Sequence, residues 1–163
     1  MDIQRIKSLV ESSEKVAELK KEGFFLSSFM YLAHSLAKGP HSVIVNFYNK
    51  QKNELASFNA NEKGFEFAGL SPPIKETEII PLEVDKIVLE ADEAMKKCGS
   101  KAPEEAISRI VLVLRTSTNS KAETGPTWQV NIFLKNFHVI STVLDAENGE
   151  EIASSKMSLS SKL

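Results

Sequence analysis

The chain has 163 residues, of which 42% are hydrophobic and 26% are charged, so it is neither largely disordered nor long enough for more than one domain or two very small ones. Its formal net charge is −2, and lysines are interleaved with glutamates along the chain. This balance argues against a nucleic-acid partner, because binding to phosphate depends on clustered positive charge.

The N-terminal region predicts helices. Apolar residues recur at helical spacing from Ile3 to Leu19 with charged residues between them, which is typical of an amphipathic helix. A second apolar stripe, over residues 24–37, follows positions i, i+4, i+7 and i+11 and stops at Gly39-Pro40. We therefore expect a second helix at 24–37, whose aromatic and methionine side chains fill the core or line a ligand groove.

An antiparallel meander is expected after these helices. Both alternating sets of its first strand contain apolar residues, so both faces of that strand should be covered. Ser71-Pro72-Pro73 then breaks the pattern and marks a linker, which divides the chain into residues 1–75 and 76–163. The three strands are expected at residues 42–48, 55–60 and 65–68.

The second half of the sequence repeats the order of the first, with a helix followed by strands. A short helix is expected at 91–98 with Gly99 as its C-cap, and Pro103 favours a helical turn just after it. Residues 145–149, which read Asp-Ala-Glu-Asn-Gly, predict a tight turn before the last strand. Strands are expected at residues 83–89, 107–114, 127–134, 137–144 and from 150 to 153.

The two halves therefore share one pattern. The segment HSVIVNFYNKQKNELASFNA of the first half parallels PTWQVNIFLKNFHVISTVLDA of the second. We expect an α+β fold of two helix-plus-antiparallel-meander repeats, with the helices packed on antiparallel sheet, derived by tandem duplication. The pattern leaves open whether the two halves share one sheet.

Four segments of the second half, in this order, resemble a PepSY-type domain over residues 83–153. They are DEAMKK with a Glu-Ala step in a helix, IVLVL in a strand, PTWQV with its strand tryptophan, and the closing hairpin VLDAENGEEI. The first half resembles the pattern weakly and lacks the closing hairpin. The whole arrangement is similar to that of uncharacterised archaeal and bacterial proteins with tandem domains of this kind.

The resemblance implies a PepSY/cystatin-like α+β fold with a helix packed on an antiparallel sheet. It implies an inhibitory or regulatory binding role, often toward peptidases, and it supplies no catalytic residues. Members are often secreted or attached to membranes. The sequence shows neither signal, which is a departure from the family.

No pattern in the sequence indicates catalysis, so we expect no enzyme, no cofactor and no metal. The seven glycines are spread singly and form no phosphate-binding loop. His34 and His41 flank Gly39-Pro40 and could share a metal, but no cysteine or carboxylate stands at ligand spacing from them or from His138. A Ser/His/Asp constellation stays open, because its members need not be adjacent in sequence.

The first functional hypothesis is a non-enzymatic binding or regulatory module that contacts a protein partner or a second copy of itself. Its contact surface would be the open sheet face or edge, because one layer of helices leaves the other side free. The candidate residues are an exposed aromatic patch of Phe47, Phe58, Trp128 and Phe133, together with the hairpin residues Asp145 and Gly149. The alternative is a small-molecule binding or carrier domain with a pocket under the helix at 24–37, and an enzyme of unrecognised type is the third reading.

The expected location is intracellular. The N-terminus is polar and helical, and the most apolar stretch is too short and too polar to span a bilayer, so we expect a soluble protein without a membrane partner. Ser161-Lys162-Leu163 would be a peroxisomal address in a eukaryote, and otherwise we expect a cytoplasmic protein. Chance in a tail rich in serine and lysine is the alternative explanation of these three residues.

Overall fold

The structure, a computed structural model, describes residues 1–74 and 78–159. The boundary predicted at residues 75 and 76 and the peroxisomal address considered at Ser161-Lys162-Leu163 lie outside the described residues. The described helices are α1 (Ile3–Ser12), α2 (Glu14–Lys21) and α3 (Ala91–Gly99), with short 3-10 helices at Val84–Lys86 and Glu104–Ala106. The described strands are β1 (Phe25–Ala33), β2 (Pro40–Asn49), β3 (Glu54–Asn61), β4 (Gly64–Ser71), β5 (Ile107–Thr118), β6 (Thr124–Leu134), β7 (His138–Asp145) and β8 (Glu151–Ser158).

All eight strands form one antiparallel sheet in the order β4-β3-β2-β1-β5-β6-β7-β8. Each half of the chain supplies four consecutive strands, and the halves join where β1 pairs with β5, for example at Phe29 and Leu114. The two halves therefore share a single sheet. The fold is α+β, as expected at this coarse level, but it contains more sheet and fewer helices than two helix-plus-meander repeats imply.

The core lies on one face of this sheet, beneath the helices. Side chains alternate between the two faces of a strand, so every second residue of the central strands points toward α1, α2 and α3. Helix residues such as Ile6, Leu19 and Met95 form one continuous buried cluster with strand residues such as Phe29 and Leu112. Burial of this apolar surface is the main stabilising contribution to the fold.

The predicted N-terminal helix is two helices, because two local caps interrupt it. The carboxylate of Asp2 accepts a hydrogen bond from the Arg5 backbone N–H at 2.7 Å and starts α1. Ser13 has extended backbone angles, and its hydroxyl accepts a hydrogen bond from Val16 N–H at 3.3 Å, which starts α2. The chain therefore bends between α1 and α2, and Val10 and Val16 both still reach the core.

The prediction of a helix at residues 24–37 is wrong, because this segment contains β1 at the centre of the sheet. Phe29, Tyr31 and Ala33 are buried at every second position under the helices, while Met30 and Leu32 point to the other face. Apolar residues on both faces of a short segment fit a helix stripe and a central strand equally well. The small-molecule alternative expected a pocket under a helix at residues 24–37, and this segment forms no such helix.

The other predicted elements mostly hold. Residues 83–89 do not form a strand, because Val84–Lys86 is a 3-10 helix and the N–H groups of Val88 and Leu89 both donate to the Ala146 carbonyl. The strand expected at 65–68 extends over Gly64–Ser71. The strands expected at 42–48, 55–60, 107–114, 127–134, 137–144 and 150–153 are confirmed as β2, β3, β5, β6, β7 and β8, and the helix at 91–98 as α3.

Candidate binding surface

The face of the sheet opposite the helices carries a set of half-buried apolar side chains, which we call the open-face patch. In the described part of the chain, none of them belongs to the core cluster under the helices. Strand register places five of them side by side, since Met30 pairs with both Ile44 and Val113, and Leu32 pairs with Val111. The other two lie farther along the face, where Phe133 pairs with Arg109 and Val143 pairs with Gln129. The open-face patch comprises Met30, Leu32, Ile44, Val111, Val113, Phe133 and Val143.

Polar side chains border the open-face patch on the side of β2 and β3. The Asn46 side-chain amide donates to Ser28 Oγ at 3.1 Å, and Ser57 Oγ donates to Asn46 Oδ1 at 2.7 Å. These bonds link three neighbouring strands in one row. An apolar centre with a polar rim of satisfied groups is the usual anatomy of a protein–protein contact.

The predicted aromatic patch is wrong for three of its four members. Phe47, Phe58 and Trp128 lie on the helix-covered face and are essentially inaccessible to solvent. Strand alternation puts them there, and the Trp128 indole N–H finds a buried partner in the Leu89 carbonyl at 2.8 Å. Phe133 alone lies on the open face, where the Arg109 guanidinium stands 4.3 Å from its ring centre.

Asp145 and Gly149 form the turn between β7 and β8. Asp145 Oδ1 accepts hydrogen bonds from the N–H groups of Glu147 and Asn148, at 2.8 and 3.2 Å. Gly149 has a φ of +77°, and its N–H donates to the Asp145 carbonyl at 2.8 Å. These contacts give both residues a local role in closing the hairpin, at the end of the sheet away from the β6–β7 turn.

A groove of about 540 Å³ lies at the end of the open face where β5 finishes. Ile80 forms an isolated bridge to Thr116 there, and the Thr116 hydroxyl donates to the Pro81 carbonyl at 2.9 Å. The groove combines the charged side chains of Arg115 and Glu78 with hydroxyl groups and an apolar wall, a composition that suits a small polar ligand. Its lining includes Ser28, Arg115, Thr127, Ile79, Ile80 and Val143.

A polar cluster ties edge strand β8 to the segment after α3. The Lys101 ammonium donates to Thr142 Oγ1 at 3.1 Å and to Ser154 Oγ at 2.9 Å, and it forms an ion pair with Glu151. A serine beside a lysine suggests a nucleophile, but an ammonium held by a carboxylate donates protons and does not accept one from the hydroxyl. The cluster is a structural cross-link.

Cys98 points into the core beside this cluster. Burial raises the pKa of the Cys98 thiol above its ordinary value, against a smaller opposing effect of the hydrogen bond with Thr142. A buried thiol with a raised pKa is a poor nucleophile, because the thiolate is the reactive form. The structure therefore gives this cysteine an apolar packing role.

The histidines do not assemble a metal site. His34 and His41 stack with ring centres 4.3 Å apart and planes 9° from parallel, so their in-plane lone pairs cannot converge on one ion. His138 lies elsewhere, with Nδ1 3.2 Å from the Asn136 carbonyl. Within residues 1–74 and 78–159, no group of three or more histidine, cysteine, aspartate or glutamate side chains is placed to hold a metal.

A buried polar region lies where the N-termini of α1 and α3 approach each other. Glu90 Oε2 accepts a hydrogen bond from the Ile3 backbone N–H at 3.1 Å, and burial raises the pKa of this carboxyl above its ordinary value. The Tyr31 hydroxyl is buried without a hydrogen-bond partner among the described residues. Burial, then the charges of Glu90, Asp2 and Asp92, raise the pKa of Tyr31.

Except for Phe133, the members of the open-face patch were missed in the sequence because they were assigned to other structures. Met30 and Leu32 were part of the expected helix, and Val111 and Val113 were part of an apolar run that reads as a fully buried strand. One signal could have found it. The first strand of the meander has apolar residues in both alternating sets, and here the second set faces away from the helices.

No protein-family model matches the chain, and no curated protein matches it. Among solved structures, it is similar to a protein from Clostridium difficile 630 named "putative lipoprotein", with a TM-score of 0.52 and 13% sequence identity. The similarity covers 88% of this chain and 89% of that chain. At this identity the likeness concerns the fold alone. Among the described residues, no helix is both long and apolar enough to cross a membrane.

Proposed function

We propose that this chain is a non-catalytic, PepSY-like binding module that docks a protein partner on the open face of its sheet. The observation that supports this proposal is the open-face patch. Its side chains lie on strands that are fixed by neighbours on both sides, such as β1 between β2 and β5. A rigid apolar surface needs little ordering when it binds, so more of the contact energy appears as affinity.

The size and border of this surface suit a protein better than a small molecule. The centre of the patch lies on β2, β1 and β5, in the middle of the sheet. Phe133 on β6 and Val143 on β7 extend it, with Gln129 and Asn131 of β6 on the same face. Flat apolar surfaces of that extent are usually covered by another protein in soluble proteins. The partner is a different protein or a second copy of the chain.

The test replaces valines by threonine, which keeps the branched shape that strands prefer but adds a hydroxyl. The double variant Val111→Thr/Val113→Thr changes the centre of the open-face patch. Val88→Thr is the matched control, because Val88 is 74% exposed in the segment before α3, away from the patch. Tagged wild type and both variants are used to capture partners from source-cell lysate, and each purified protein is examined by light scattering.

We expect one stoichiometric partner, or a dimer, with wild type and with Val88→Thr, and its loss with the double variant. Capture of the same partner by all three proteins would place the contact elsewhere and contradict the proposal. A wild-type protein that is monomeric and captures nothing would also contradict it. Equal melting temperatures of the three proteins serve as the control for folding.

The groove supports a second candidate, a small-molecule binding domain. Its volume of about 540 Å³ falls in the range of ligand pockets, and Arg115 would recognise a carboxylate or phosphate. A panel of small anionic compounds is screened by thermal shift with wild type and with Arg115→Leu. A compound that raises the melting temperature of wild type but not of Arg115→Leu supports this candidate, and the lack of any such compound counts against it.

We further infer that the two halves arose by tandem duplication and that the protein acts inside the cell. The last hairpin of the first half supports duplication, because Asn61 Oδ1 accepts from Lys63 N–H and Gly64 N–H, at 2.8 and 3.2 Å. Asp145 closes the last hairpin of the second half with the same pair of contacts. Fluorescence microscopy of the tagged protein in its source cells tests the location.

A further inference from the structure

The turn between β6 and β7 holds a phenylalanine in an unusual conformation. Phe137 has a φ of +63°, in the left-handed region, and its side chain is 67% exposed. Bulky side chains rarely adopt this backbone conformation, because Cβ crowds the neighbouring carbonyl. The fold therefore keeps a strained backbone and an exposed aromatic ring at the same residue.

The turn at the corresponding place in the first half, which differs in length, reaches the same left-handed conformation without an aromatic residue. The turn between β2 and β3 ends in Asn53, which has a φ of +53° directly before the next strand. Asparagine tolerates this conformation well. Neither the turn geometry nor burial in the core accounts for phenylalanine at position 137, which points to a contact outside the chain.

Two further apolar side chains are exposed next to Phe137 at the end of β8. Met157 is 49% exposed and pairs in register with Val139. Leu159 is 43% exposed, and its N–H donates to the Phe137 carbonyl at 2.7 Å. We call Phe137, Met157 and Leu159 the apolar tip.

Basic residues occur on the elements that carry the apolar tip. Lys135 lies in the same turn, and the Arg109 guanidinium packs on the ring of Phe133 on the open face. Lys156 precedes Met157 on β8 but pairs with the core residue Ile140, so it faces the helix side of the sheet. On the acidic side, Glu105 is exposed near Lys135, whose N–H donates to the Ala106 carbonyl. Positive charges therefore outnumber negative ones around the exposed apolar side chains.

We propose that the apolar tip docks the protein on an anionic membrane surface, with Phe137 inserted at the level of the lipid headgroups. A hairpin end is convex, and a lipid interface accepts a convex apolar projection without a preformed pocket. Aromatic side chains favour this interface, and anionic headgroups attract Lys135 and Arg109. The proposal goes beyond the protein-binding function, because Phe137 lies in the turn at the end of the strands. Met157 shares the open face with Phe133, through Val139, but lies three strands away from Val111 and Val113 at the centre of the open-face patch.

This proposal departs from the sequence-based expectation of no membrane partner. That expectation depended on the lack of an apolar segment long enough to span a bilayer, which surface binding does not need. It also agrees with an intracellular location, because the cytoplasmic surface of membranes is negatively charged.

The experiment measures sedimentation of the full chain with vesicles of phosphatidylcholine in which roughly a third of the lipid is phosphatidylserine. The test variant is Phe137→Asn, which copies the residue of the first turn and should fold at least as well as wild type. Val88→Thr is the matched control, because it changes an exposed apolar residue near the opposite end of β7. Melting temperatures are recorded for all three proteins.

We expect wild type and Val88→Thr to bind these vesicles, and to bind less at high salt or to phosphatidylcholine alone. Phe137→Asn should bind at least about tenfold more weakly, the change expected when one buried aromatic side chain is lost. Wild type that fails to sediment, or Phe137→Asn that binds as well as wild type, would overturn the proposal. Self-association of wild type that Phe137→Asn abolishes would also overturn it, by making the tip a contact between copies.

The double variant Val111→Thr/Val113→Thr separates this proposal from the proposed function. It should bind vesicles as wild type does, while it loses the protein partner. If the wild-type protein captures its partner but does not bind vesicles, only the membrane proposal is contradicted. If the wild-type protein binds vesicles but captures no partner, only the proposed function is contradicted.

Discussion

The indole N–H of Trp128 donates a 2.8 Å hydrogen bond to the carbonyl oxygen of Leu89, 39 residues earlier in the chain. Leu89 in turn donates its N–H to the Ala146 carbonyl in the turn after β7. Trp128 also packs against Tyr31 of the first half, with ring centres 5.5 Å apart. One side chain thus connects the segment before α3 to the sheet and to both halves of the core.

Trp128→Phe should lower the free energy of unfolding by about 1–3 kcal/mol. The change leaves the buried Leu89 carbonyl without its partner and opens a cavity beside Tyr31. Urea denaturation followed by circular dichroism measures the effect. Phe133→Leu on the open face is the control, and it should lower the free energy of unfolding by less, because Phe133 is only half-buried. Equal losses of stability in the two variants would argue against the anchoring role of Trp128.

Lys101→Met should loosen edge strand β8 while the rest of the fold keeps its stability. The variant removes the donor to Thr142 and Ser154 and the ion pair with Glu151. Backbone amides of β8 should exchange with deuterium roughly two- to tenfold faster. The free energy of unfolding of the whole protein should change by less than about 1 kcal/mol. Lys121→Met, in the loop between β5 and β6, is the control; uniform acceleration across the sheet would contradict a local role.

The sequence predicts most strands of this fold but misplaces the centre of the sheet. Alternation and turn residues identify β2, β3, β6 and β7, because the local pattern there agrees with the tertiary structure. The segment of β1 has apolar residues on both faces, and the spacing of these residues alone cannot distinguish a buried strand from a helix. Its position between β2 and β5 is decided by pairing with residues more than 70 positions away, such as Leu114, which a local pattern does not contain.

The candidate site was predictable only in its general position. An open sheet face follows from one layer of helices, and the structure has such a face. Its residues could not be chosen from the sequence, because aromatic size suggested Phe47, Phe58 and Trp128, whereas strand register sends these under the helices. Phe137 was missed because its importance depends on a backbone angle that phenylalanine itself does not predict.

Cys98 should be unreactive in the folded protein. Its side chain is 1% exposed, and burial raises the pKa of the thiol, so little thiolate is available to a thiol reagent. We expect modification at the rate at which the core opens, and fast modification in urea. Ser100→Cys, which adds an exposed thiol just after α3, supplies the positive control, and a single fast phase in native wild type would refute the prediction.

Glu90 should make the protein less stable as pH rises above the ordinary value of its carboxyl, 4.5. Burial raises the pKa of Glu90 in the folded state, so the folded protein holds this proton more tightly than the unfolded chain does. The resulting stabilisation is fully present below the unfolded pKa and is lost as pH rises through the folded one. Glu90→Gln carries no titrating group, and its amide oxygen can still accept the hydrogen bond from Ile3 N–H.

Urea unfolding at a series of pH values from about 4 to about 7 measures this dependence. Wild type should lose stability through the window just above pH 4.5, whereas Glu90→Gln should lack that decline and be the more stable protein at neutral pH. Glu14→Gln, which removes an exposed carboxylate from the first turn of α2, should keep the wild-type profile. If Glu90→Gln declines in parallel with wild type, another group is responsible, and burial between α1 and α3 does not raise the pKa of Glu90.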